Sequence, residues 1–124
     1  MRSVEVVRAQ MGQVQIAVEL LKLQSVLTAA EASGVRLVDV SAQLGARRPK
    51  LTHVGLIART SGPPTGLYLG TVLGFTTLTR ERIHRLPEWT HALIPNFLYP
   101  ACTRDEDGNA VWLIDVSKIE EPTT

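Results

Sequence analysis

Val4 to Met11 alternates apolar Val4 and Val6 with polar Glu5, a period-two pattern that Val7 interrupts, and Gly12-Gln13 separates it from a second apolar run, Val14 to Val18. Two such runs across a two-residue, glycine-containing gap predict a β-hairpin. The period then changes, with Leu20, Leu23, Leu27 and Ala30 recurring at three- and four-residue steps. With Gly34 as a stop, this spacing predicts a short helix, or a strand leading into one, between Glu19 and Ala32. Val35 to Val40 is a compact β-branched run, and Ser41 is placed to cap a turn that ends at Gly45. Arg47 to Lys50 is charged and contains Pro49, which disfavours a helix or a central strand, so it is the expected internal boundary.

The second half predicts strands and turns. Thr52 to Thr60 reads as a strand ending at Ser61 to Gly66, where two glycines and two prolines favour a turn. Leu67 to Leu78 reads as another, with Gly70 and Gly74 available for a bend or a bulge. Pro87, Pro95 and Pro100 predict an irregular connection over residues 84–101. Asp105 to Asn109 predicts a turn, and Val111 to Val116 a closing buried strand. Short strands at turn-marked spacing favour a small all-β barrel arrangement.

At 124 residues, the chain fits one domain, or two small barrels sharing one core. Thirteen basic and twelve acidic side chains give a net charge of +1, with no block of like charge, so electrostatics give nucleic acid no special claim. A protein partner is the better expectation. Cys102 is the single cysteine, which excludes an internal disulfide and favours a cytoplasmic setting. Arg2, Glu5 and Arg8 interrupt the N-terminus, so no signal peptide is expected there, nor is an apolar run long enough to insert in a bilayer.

Candidate chemistry is sparse. Asp105-Glu106-Asp107-Gly108-Asn109 superficially resembles a calcium loop, but Thr103 stands at the first ligand position and Ile114 where the last bidentate glutamate belongs. A hairpin turn around Asp107-Gly108 is the stronger reading. His53, His84 and His91 lack metal-ligand spacing, and neither a nucleophile elbow nor a phosphate-cradling glycine loop occurs. No catalytic residue, metal or cofactor is therefore expected. Trp89, Trp112, Tyr68 and Tyr99, with Arg80, Arg82 and Arg85 nearby in sequence, leave open an oligonucleotide-binding barrel as a reading of another class. Leu20, Leu23, Val26 and Leu27 have two readings, ordinary core packing or one wall of an apolar groove for a helix. Val72 and Phe75 are candidates for the opposite wall.

Six stretches, in order, resemble CheW-like chemosensory coupling domains between Val4 and Ile119. Ile16-Ala17-Val18 resembles the family's aromatic-Ala-Leu step, and Leu20, Leu23 and Val26 occupy the apolar positions after it. Val35 to Gly45, with Asp39 and Leu44, is similar to its Pro-Val-hydrophobic-Asp-Leu run. Gly66 to Phe75 resembles its Gly-Leu-hydrophobic-Val-Asp-x-Val strand, with Gly70 where Asp is common. Ile83 to Pro87 and Val111 to Val116, the latter with Asp115, complete the series. The resemblance implies two intertwined SH3-like β-barrels, here a first barrel over about residues 1–50, a second over about 51–120 and a tail at 121–124. It also implies a non-enzymatic adaptor that binds a chemoreceptor tip at Leu20, Leu23, Val26, Leu27, Val72 and Phe75, with a CheA-like histidine kinase or other CheW-like proteins as further partners.

One departure stands out. Only seven residues separate Leu27 from Val35, where the family places a much longer stretch with an Asn-x-Arg-Gly turn associated with receptor and kinase contacts. No Arg-Gly pair occurs in the chain. Seven residues span at most about 25 Å, too little for two further strands and a turn. The first barrel is therefore expected to be open or repacked, its free edge covered by Ala29 to Ser33 or by strand addition from a second molecule. Weak or absent kinase binding follows as one expectation, and an ordinary receptor-kinase scaffold remains the other.

Overall fold

The computed structural model describes residues 3–47, 52–58 and 64–119. Its strands are β1 (Ser3–Met11), β2 (Val14–Glu19), β3 (Leu23–Thr28), β4 (Arg36–Val38), β5 (His53–Ile57), β6 (Thr65–Thr79), β7 (His84–Arg85), β8 (Leu98–Arg104) and β9 (Ala110–Ile114). They run in the order β3-β5-β6-β1-β2-β9-β8-β7, with β4 paired to β6 beside this path. The β1–β2 hairpin forms as the alternation predicts, with Met11 opposite Val14. β2 then pairs in parallel with β9, which joins the two ends of the chain.

Strand β6 organises the molecule. Its first part lies between β5 and β4, and its remainder pairs with β1. Gly70 sits where β6 passes from one group to the other, at a φ of 75°. A Cβ there would overlap the Gln10 carbonyl, so both the conformation and the close approach require glycine. The Thr52 hydroxyl donates to the Gly70 carbonyl. The bend expected from Gly70 and Gly74 is present, with pairing irregularities against both β5 and β1.

Strand pairing divides the chain differently from the expected split near residue 50. β1 and β2 lie with β7, β8, β9 and the second part of β6, whereas β3, β4 and β5 gather on its first part. This interleaving explains the Val6-Val7 doublet. Val7, Ala9 and Met11 of β1, with Ile16 and Val18 of β2, enter the larger core, whereas Val6 and Ala17 enter a smaller one within the group of strands that holds β7, β8 and β9, the second barrel. At Val6-Val7 both faces of β1 are buried, so simple alternation fails there.

Three other expectations change. Residues Glu19 to Ala32 form no α-helix, but a 3-10 turn at Leu20–Lys22, strand β3 and a run of turns. The 3-10 turn repeats every three residues, and β3 has a pairing irregularity between Leu23 and Ser25. Together they send Leu20, Leu23 and Val26 to one core at helix-like spacing. The stretch 84–101 is not wholly irregular, because β7 and the start of β8 lie in it. Pro100 sits inside β8 at an interruption between the pairings of Leu98 and Cys102, and its carbonyl accepts the Leu86 N–H. The turn after Val40 is capped by Asp39 rather than Ser41, since the Asp39 carboxylate accepts the Ser41 N–H at 2.9 Å. The expected boundary at 48–50, part of the turn after Thr60 and the tail at 121–124 lie outside the described residues.

Asp105 closes the β8–β9 hairpin by accepting the N–H groups of Asp107 and Asn109 at 2.9 and 2.8 Å. It also accepts from Gln15 Nε2 at 2.7 Å, and the Gln15 amide oxygen accepts from Arg8 at the same distance. Those donors, Gln15 first, hold the Asp105 carboxyl below the usual carboxylate range. This turn is a structural clasp across three strands.

Candidate functional site

Where β2 leaves the second barrel at Glu19, the 3-10 turn hands the chain to β3. Leu20 packs against the larger core, Leu21 is 85% exposed, and the Lys22 carbonyl accepts the Ala58 N–H at 3.1 Å. Leu23 points inward and is only 8% exposed. Gly55 makes room for it, since a Cβ at that position would lie 3.0 Å from a Leu23 methyl. Val26 packs on the same core and Leu27 is half-buried.

The end of β3 is covered locally. Glu31 accepts the backbone N–H of Thr28 at 2.9 Å and its hydroxyl at 3.0 Å. These bonds, the backbone one first, lower the Glu31 pKa. Ala29 donates to the Thr52 carbonyl at 3.1 Å, and Ala32 is buried beneath the turns. Internal cover therefore exists, but it reaches only the end of the strand. Among the described residues, β3 pairs with β5 alone and β4 with β6 alone, so these two strands bound an incomplete barrel.

The candidate groove residues separate into supports and exposed contacts. Leu20, Leu23, Val26 and Val72 converge on the larger core. Phe75 is 64% exposed on β6, opposite Val7 of β1, and neither it nor Leu27 joins either buried cluster. The structure adds Leu73, half-exposed two positions before Phe75, and Leu21. The signal for Leu73 was the Leu73-Gly74-Phe75 alternation, masked because Val72 and Leu78 place apolar residues in the other phase too. Leu21 was hidden in a leucine doublet whose two members point to different environments.

The aromatic residues do not make one nucleic-acid platform. Tyr68 is buried, Trp112 packs against the larger core and Tyr99 lies at the smaller one, leaving Trp89 as the exposed member of the four. Burial raises the Tyr99 pKa, reinforced by the Asp115 and Glu19 carboxylates. Among the described residues, no group of three or more His, Cys, Asp or Glu side chains is arranged to hold a metal ion. No described helix is long and apolar enough to cross a membrane.

The fold is CheW-like. The crystal structure of the scaffolding protein TtCheW from Thermoanaerobacter tengcongensis is similar over 91% of this chain and 89% of that one, with a TM-score of 0.67 and 11% sequence identity. No protein-family model matches the sequence. No curated protein matches it by sequence either.

Proposed function

We propose that this chain is a non-enzymatic chemosensory adaptor that binds the helical signalling tip of a methyl-accepting chemoreceptor and modulates signalling to a histidine kinase. One observation carries the reading: on a CheW-like fold, Leu20, Leu23, Val26 and Val72 are anchored in the shared core, while Phe75, and in part Leu27, keep apolar surface open to solvent. In this proposal the anchored four fix the walls of the groove, while Leu27 and Phe75 meet the receptor helix. Burying such surface contributes about 25 cal/mol per Å² before the cost of association.

Direct kinase contact is weak or absent in this reading, because the connection after β3 is too short to rebuild the family's Arg-bearing element. The shortened pattern resembles FrzB, an accessory CheW-like protein of the Frz gliding-motility chemosensory system. The proposed setting is the cytoplasm, at chemoreceptor arrays. The alternative is an ordinary receptor-kinase scaffold, favoured by the extent of the structural match to a protein described as a scaffold.

Variants at the exposed positions test the groove directly. Leu23→Asp would place a charge in the core and unfold the chain, so Leu27→Asp and Phe75→Asp are the informative changes. Each should weaken binding of a receptor-tip fragment at least about tenfold while leaving the fold intact. Parent-like affinity in both folded variants would remove this surface from the receptor contact.

A further inference from the structure

The second barrel contains an apolar cavity of about 330 Å³. Val6, Ala17, Leu78, Ile83, Ala101 and Leu113 are among the residues that line it. A cavity of roughly 150 Å³ already takes a benzene-sized group, so this one has room for an inserted aliphatic side chain. Two of its wall residues, Ala17 of β2 and Ala101 of β8, are alanines, whose small side chains leave the interior incompletely filled.

The cavity opens into a broader depression. Val4, Glu19, Leu78, Ile83 and Arg85 line both, and Leu21 stands on the rim of the depression. Leu21 is 85% exposed, held outward by the 3-10 turn while Leu20 is anchored below. An apolar knob and an apolar hole therefore share one concave face. Around them are Glu5, Glu19 and Glu81 with Arg80 and Arg85. Both signs of charge are present on the same patch, so a second copy can meet unlike charges there without a large net repulsion.

We propose that this face is a two-fold self-association surface in which Leu21 of each molecule enters the second-barrel cavity of the other. A single patch carrying both knob and hole satisfies the requirement of an isologous contact, because the rotation that seats one leucine also seats its mate. Mixed charge at the rim favours pairing of the acidic side chains of one copy with the arginines of the other. This inference is independent of the receptor reading.

Sedimentation equilibrium of the purified full chain, without receptor or kinase, tests it across the micromolar range. The expected result is a concentration-dependent dimer. Leu21→Asp should weaken it by about 100-fold or more, because two cavities lose their leucine per dimer. Its far-UV circular dichroism should match the parent, the site being exposed. Leu21→Met should retain the dimer, and Val4→Lys, in the lining shared by cavity and depression, should lose it. A parent that stays monomeric throughout, including one whose cavity takes up a small apolar dye, overturns the proposal. So does a Leu21→Asp variant that folds and dimerises like the parent.

Discussion

The two groups of strands that share β6 differ in how completely their pairing is resolved. On one side, β1, β2, β9 and β8 each pair with two neighbouring strands, with interruptions at Arg8/Ala9 and Leu98/Cys102, and their buried apolar residues enter both clusters. On the other, β3 and β4 have one strand partner each among the described residues, and Val26, Leu27 and Leu37 retain exposed surface. Pairing on both sides accompanies deep burial at Ile16 and Val18, but the face a side chain takes decides its role: Leu23 of one-partner β3 is core, whereas Phe75, where β6 pairs with β1, stays exposed. Leu27 and Phe75 remain surface available for recognition, on strands anchored in the same core.

The contrast predicts unequal stability effects. Ile16→Ala, in the completed region, should destabilise the chain by about 3–4 kcal/mol, because Ile16 is wholly buried. Gly70→Ala, at the passage between the two regions, should cost about 2–3 kcal/mol through its positive φ and the close Gln10 carbonyl. Leu27→Ala should cost about 1 kcal/mol or less, as expected of a half-exposed side chain. Chemical denaturation of the three variants checks the order. Equal losses at Ile16 and Leu27 would break the distinction between core and recognition surface.

A smaller effect should appear in acid. The Asp105 pKa is lowered in the folded chain from its ordinary 3.8, chiefly by the Gln15 hydrogen bond and then by the Asn109 N–H. The carboxylate therefore stabilises the fold above that ordinary value, and the contribution is lost as pH falls through the lowered folded value. Asp105→Asn should be less stable near neutrality, and its deficit should shrink as pH drops from about 5 to about 2.5. Thermal unfolding over that range measures the change. A deficit independent of pH would remove the charged hydrogen-bond account of this clasp.

Much of the fold was legible where local pattern and tertiary environment agree. The β1–β2 hairpin announces itself through alternation and Gly12, and the β6 bend through its glycines. Other elements hide because the environment overrides local pattern. Leu20, Leu23 and Val26 mimic a helix, although a 3-10 turn and a bulged strand give the same spacing. Pro100 disguises β8, yet it occupies an interruption where its missing N–H is tolerated. Within the candidate site, residue type located the segment but not the direction of each side chain. Leu20, Leu21 and Leu23 are chemically alike, and only the backbone decides that the middle one faces solvent.

The most direct test of the proposed division of labour is calorimetric titration of the purified chain with separate receptor-tip and histidine-kinase fragments. The account predicts saturable binding to the receptor fragment and little or none to the kinase fragment. Tight binding to the kinase with no binding to the receptor would contradict it.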